Sequence, residues 1–126
     1  MKFNTNNFNI NVVFNKHHDN HWFWHSKDDN KIYLDVVHWI KNQDSDWSKE
    51  GISLVMLKYI IHELTHWFDE TCWSSTQYKT KDAEEHLAVF VQQFLLDIYD
   101  LAHQIIGYIE KKKWLEAEKE NNNETN

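Results

Sequence analysis

The first third of the chain alternates apolar with polar positions. Every second residue of one stretch is apolar, which predicts a half-buried strand containing Phe8, Ile10, Val12 and Phe14. The segment Lys31–Val37 has the same period and predicts a second strand. Between them, residues 15–30 mix turn formers with histidines and aromatic residues without a regular period. We therefore expect a loop there.

The period changes to that of a helix over residues 49–71. One broad arc of this segment is apolar, formed by Leu57, Ile60, Ile61, Leu64, Trp67 and Phe68. Ser48 or Asp46 is the candidate N-cap. After a loop at 72–80, a second helix is expected to begin near Thr80 or Asp82, with Gly107 as a candidate break. Its expected core face consists of Leu87, Val91, Phe94, Leu95 and Ile98.

These elements predict an α+β fold in which a small antiparallel sheet packs on two helices. The chain has 126 residues, no internal repeat, no proline and no recognisable linker, so one domain is expected over residues 1–118. The polar residues 119–126 are expected to form a disordered tail.

Composition excludes several classes of function. Thirteen Lys and Arg stand against 20 Asp and Glu, and the resulting net charge of -7 disfavours binding to nucleic acid or to an anionic membrane. Cys72 is the only cysteine, which excludes an internal disulfide and a cysteine-based metal cage. With no apolar run of about 18 residues and no apolar signal segment at the N-terminus, we expect a cytoplasmic protein. The sequence does not indicate an oligomeric state.

Nine histidines in a chain of this length draw attention to metal chemistry, and one group of them has a specific spacing. His62-Glu63-Leu64-Thr65-His66 is a His-Glu-x-x-His motif on the first predicted helix. Residues four apart lie one above the other on a helix, so both imidazoles can bind one tetrahedral metal ion. Glu63 points about 100° away and suits a general base rather than a ligand.

A catalytic zinc ion needs a third protein ligand and one open position. The candidates are Glu84, Glu85 and His86, at the start of the second helix. Relative to the expected core face, Glu84 lies close to it, Glu85 at its edge and His86 on the polar side. The edge position suits a ligand lining a cleft. Glu85 could instead pair with Asp82 in a capping box.

This pattern resembles the gluzincin metallopeptidases, in which the motif is followed by a glutamate on the next helix. Eighteen residues separate His66 from Glu85 here. In size and layout the chain looks most like the small intracellular ImmA/IrrE-like peptidases, over roughly residues 32–96. The loop between the helices is short for that group, and Val89 replaces its usual polar residue. The resemblance implies a zincin-like fold, one zinc ion per chain held by His62, His66 and Glu85, and a hydrolase that cleaves peptide bonds.

Other residues have supporting roles in this hypothesis. Asp69, ahead of Glu70, could accept the second N–H of a ligand histidine. Tyr78 is the first candidate for an oxyanion donor, with His86 and the histidine-rich residues 17–25 as alternatives. Those histidines could also bind a metal themselves, but they lack a regular spacing, and a loose polar loop is the simpler explanation. The strand Lys31–Val37 could be an edge strand that pairs with an extended substrate.

The expected function is therefore zinc-dependent limited proteolysis of an intracellular protein or peptide, with Glu63 activating the water. The alternative is a non-catalytic zincin-fold module that binds a protein partner and keeps a structural or vestigial metal. A third possibility, a histidine-rich metal buffer, requires more than one metal ion per chain.

Overall fold

The computed structural model describes residues 1–19, 21–43, 48–71 and 83–116, with the backbone alone for 83–86. Four strands form one sheet: β1 (Lys2–Asn4), β2 (Asn9–Phe14), β3 (Phe23–Ser26) and β4 (Lys31–Leu34). Their order in the sheet is β1-β2-β4-β3. The α+β class is confirmed, but the sheet is mixed rather than antiparallel because β2 and β4 run parallel. β3 lies at one edge of the sheet and pairs antiparallel with β4, so β4 lies between β3 and β2.

Two sequence predictions in the N-terminal half are wrong. The expected loop at 15–30 contains β3, whose aromatic and histidine side chains on both faces hide the period of two. The expected strand Lys31–Val37 ends at Leu34, and helix α1 (Val36–Lys41) begins directly after it. Val36, Trp39 and Ile40 are buried, at the spacing of one helix face.

Helix α2 (Lys49–Thr71) has the predicted bounds. Of the two candidate caps, Ser48 accepts a hydrogen bond from the Gly51 N–H at 3.0 Å, whereas Asp46 lies outside the described residues. The helix buries seven residues: Ile52, Met56, Ile60, Glu63, Leu64, Trp67 and Phe68. It therefore forms the centre of the structure, with a single charged side chain among its buried residues.

Helix α3 (Ala83–Lys111) continues through Gly107, so the candidate break is absent, and a short 3-10 turn follows at Trp114–Glu116. Its buried face is formed by Phe90, Phe94, Ile98, Leu101, Ala102, Ile105, Ile106 and Ile109. The expected core face is wrong at Leu87, Val91 and Leu95, which are exposed. On the observed buried face, Phe94 packs against Phe68 of α2, with ring centroids 5.1 Å apart. The predicted tail 119–126 lies outside the described residues.

No helix within the described ranges combines the length and the apolar character needed to cross a bilayer.

The cap of α2 allows a direct test of how its first turn is held. Replacing Ser48 with Ala removes the acceptor for the Gly51 N–H and is expected to lower the free energy of unfolding by about 1 kcal/mol. Urea denaturation measures this loss. Ser48→Asp, which keeps an acceptor at this position, is the matched control, and equal stability of all three proteins would show that the cap is unimportant.

Candidate functional site

The two histidines of the motif converge on the exposed side of α2. The Nε2 atoms of His62 and His66 are 3.1 Å apart, and the ring centroids are 4.7 Å apart. Two ligand atoms on one tetrahedral zinc ion, each about 2.0–2.1 Å from the metal, would lie about 3.3 Å from each other. Both side chains are exposed to solvent. The histidine pair thus has the spacing and the access that a shared metal ion requires.

Glu63 lies beside the histidine pair but is buried, with 9% of its surface exposed. Its helical position alone places it with the polar residues of α2. The structure instead covers it with residues around β3, and it borders two cavities, of about 280 Å³ on the His62 side and about 380 Å³ on the His66 side. Burial raises the pKa of the Glu63 carboxyl to about 7, and the negative charge of Glu70 adds to the increase.

The hairpin of β3 and β4 is attached to the last turn of α2. Glu70 carries two of these contacts, with Oε2 at 2.9 Å from Nδ1 of His25 and Oε1 at 3.6 Å from Nζ of Lys27. At the hairpin turn, Asn30 has a φ of 54°, a left-handed conformation that asparagine tolerates, and accepts a hydrogen bond from Thr71 at 3.1 Å. β3 therefore forms a wall opposite the motif.

Two residues at the start of this wall, one just before β3 and one in it, reach both cavities. His21 and Phe23 line the space beside His62 as well as the space beside His66. Phe23 also packs against Tyr59 of α2, with ring centroids 5.8 Å apart. We call the space between α2 and this wall the cleft. The sequence indicated residues 17–25 as an alternative source of an oxyanion donor, but only the structure identifies β3 as a wall of the cleft.

The wall contains one buried histidine with unsatisfied polar atoms. The His25 side chain is 4% exposed, and neither ring nitrogen makes a hydrogen bond of acceptable geometry, although Nδ1 lies close to Glu70. His25 borders the cavity that Glu63, His66 and Glu70 also line. A polar atom so placed is expected to interact with water or a ligand in the cleft, since buried polar groups are nearly always paired.

The position of the edge strand differs from the prediction. β4 has β2 on one side and β3 on the other, so the predicted pairing strand is internal. β3 is one of the two edge strands of the sheet, and it lies beside α2 at the cleft. An extended peptide that adds to this side of the sheet would have to pair with β3.

Several predicted site residues lie outside the described part of the chain. Glu84, Glu85 and His86 belong to the first turns of α3, but their side chains are among the residues not described, and Tyr78 is not described at all. Because Leu87, Val91 and Leu95 are exposed, the edge position expected for Glu85 does not follow from the core face, and its assignment depends on the resemblance alone. Asp69 is exposed three residues after His66, and its role stays a prediction.

A second group of possible ligands lies elsewhere, between the end of β2 and α1. Among the described residues, the only set of at least three His, Cys, Asp or Glu side chains with donor atoms within 4.8 Å of one another is His17, Asp35 and His38. The sequence made His17 one of several histidines in residues 17–25 that could bind a metal, but it did not single out Asp35 or His38. Their spacing along the chain follows no motif, so no sequence signal joined them.

The resemblance to gluzincin peptidases rests on the residues of the motif and on their spacing in the sequence. No family model, curated protein or solved structure matches the chain.

Proposed function

We propose that the chain is a zinc-dependent peptidase whose metal is bound by His62 and His66 and whose general base is Glu63. One observation carries the proposal: two exposed Nε2 atoms lie 3.1 Å apart directly beside a buried carboxyl group at the cleft. Burying an ionisable group costs free energy. A pair of histidines that is merely exposed to solvent gives no reason for a buried acid next to it.

The donor set fits zinc. Imidazole nitrogens are common zinc ligands, and a catalytic site adds a third protein ligand while leaving one position open. We assign the third ligand to Glu85 on the basis of the family resemblance, with Glu84 as the alternative. Both belong to α3, which packs against α2, so the following helix can supply a ligand without a separate domain.

Bound there, zinc would polarise the carbonyl of the scissile peptide bond and acidify a water molecule. Glu63 would accept the proton from that water and return it to the amine that leaves. Its carboxyl borders the cavities next to both histidines, so it can serve a water near either ring. The cleft wall limits the access of bulk water to this carboxyl.

The shape of the site favours an extended peptide or a flexible segment of a protein as substrate. β3 is an edge strand of the sheet and forms the wall opposite the motif. A substrate strand paired with β3 would place its backbone carbonyls along the cleft. Because a substrate has to reach β3 in an extended form, we expect cleavage of a few exposed segments rather than general digestion.

Zinc titration of the metal-free protein tests the histidine pair. His62→Ala is expected to abolish the tight zinc site on α2, since one remaining imidazole cannot chelate the ion. Isothermal titration calorimetry measures the loss, and His103→Ala, which changes an exposed histidine of α3, is the control. Undiminished zinc binding at this site in His62→Ala would overturn the assignment.

A further inference from the structure

We propose a second divalent metal site, formed by His17, Asp35 and His38 and independent of the motif on α2. Nδ1 of His17 is 3.3 Å and Nδ1 of His38 is 3.9 Å from the same carboxylate oxygen, Oδ2 of Asp35. Donor atoms on a tetrahedral zinc ion would be about 3.3 Å apart. The three donor atoms lie within 4.8 Å of one another, so a rotation of the exposed histidine side chains would let all three bind one ion.

The carboxylate of Asp35 is buried at a helix N-cap position but does not cap the helix. Asp35 is the N-cap residue of α1, yet its side chain makes no capping hydrogen bond. Asn15 instead accepts the hydrogen bond from the Val37 N–H, at 3.1 Å. The Asp35 side chain is only 3% exposed and points to two imidazoles. A buried carboxylate needs a cationic partner, and a metal ion between the three side chains would supply it.

Both histidines of the cluster present Nδ1 to Asp35, and rotation of one ring would bring both Nδ1 lone pairs onto one ion. The rings of His17 and His38 are stacked, with centroids 4.4 Å apart and planes 16° from parallel, and both direct Nδ1 to Asp35. On the far side, Nε2 of His17 lies 3.3 Å from Oδ1 of Asp19. An Nε2–H donated to that carboxylate leaves the Nδ1 lone pair for a metal, which is how outer carboxylates orient ligand histidines.

Exposure of the histidines leaves room for the remaining ligands of the ion. The side chains of His17 and His38 are 51% and 41% exposed, so water can complete the coordination shell. Two imidazoles and one carboxylate form a donor set typical of zinc and other divalent first-row transition metals. The ion would tie the segment after β2 to the start of α1.

The site can be tested without reference to catalysis, because it shares no residue with the histidine pair on α2. Zinc binding per chain is measured by calorimetry and by elemental analysis of gel-filtered full-length protein. We expect two zinc sites in the wild type. The double variant His17→Ala/His38→Ala should lose one of them, and His62→Ala/His66→Ala should lose the other. His18→Ala, a histidine of the same segment outside the cluster, is the matched control.

Single variants define the ligands. Loss of a residue that only orients a ligand typically lowers metal affinity by about 10–100-fold. His38→Gln removes a ligand itself, so we expect it to lower the zinc affinity of the second site by more than that. Asp35→Asn should weaken it comparably. If that buried substitution prevents folding, as circular dichroism would show, the histidine variants decide. X-ray absorption at the zinc edge of the His62→Ala/His66→Ala protein should show two imidazoles.

The outcomes separate the two proposals. Loss of a zinc site in His17→Ala/His38→Ala supports the second site, whether or not the histidine pair on α2 binds zinc. Unchanged zinc stoichiometry and affinity in that variant would overturn it, and would leave the imidazole of His17 as the partner of Asp35. A wild-type protein whose only zinc site disappears in His62→Ala/His66→Ala would likewise overturn it while supporting the proposed function.

Discussion

Glu63→Gln is expected to bind zinc as tightly as the wild type and to lose peptide hydrolysis by about 10²–10⁴-fold, the usual contribution of a general base. The amide has nearly the size of the carboxyl group but cannot accept the proton of the attacking water. Glu63 is 9% exposed and borders the cavities next to His62 and His66, so the substitution changes the chemistry of the cleft without opening it.

The measurement compares cleavage of a mixed library of quenched fluorescent peptides by the zinc-loaded proteins, with zinc content determined in parallel. Glu50→Gln is the matched control because it changes an exposed glutamate at the other end of α2. Full hydrolysis by Glu63→Gln would show that the proposed mechanism is wrong. A zinc-loaded wild type that cleaves no peptide of the library would favour a protein-binding module with a structural metal.

Phe68→Ala is expected to lower the free energy of unfolding by about 3–5 kcal/mol, which is the usual cost of removing a large buried aromatic side chain. Phe68 is 0% exposed, and its ring centroid lies 4.9 Å from that of Phe8 and 5.1 Å from that of Phe94. It therefore joins α2 to α3 and to the residue just before β2. Since small domains are stable by only about 5–15 kcal/mol, this is a large fraction of the total.

Urea denaturation at equilibrium measures this effect, provided that the slope with denaturant is unchanged. Leu96→Ala is the control because Leu96 is 81% exposed on α3, and it should change stability by no more than about 0.5 kcal/mol. A loss below about 1 kcal/mol in Phe68→Ala would mean that the aromatic contacts around α2 contribute little to the fold.

Helix α2 could be predicted from the sequence because two local signals agree. Its apolar residues repeat with the helical period, and Ser48 supplies the N-cap directly before the first turn. The close approach of His62 and His66 follows from the same regularity, since residues four apart on a helix are neighbours. These parts of the candidate site depend on local structure alone.

The remaining parts of the site depend on tertiary contacts that no local pattern encodes. Phe23 and His25 form a wall of the cleft because β3 pairs with β4 and packs on α2, and the aromatic residues around them obscure the strand period. Glu63 has the helical position of a surface residue and becomes buried only when this wall is present. On α3, apolar residues occur on several sides of the helix, so hydrophobicity alone could not identify the face that packs against Phe68.

The parallel pairing of β2 with β4 bears on the order in which the structure assembles. The histidine pair of α2 needs only one helical turn and is formed as soon as that helix is. His17, Asp35 and His38 meet only after β4 has returned beside β2, with the β3 hairpin between them in sequence. Closing such a non-local pairing costs chain entropy and is slower than helix formation. The two groups of histidines are therefore expected to come together at different times during folding, the pair on α2 first.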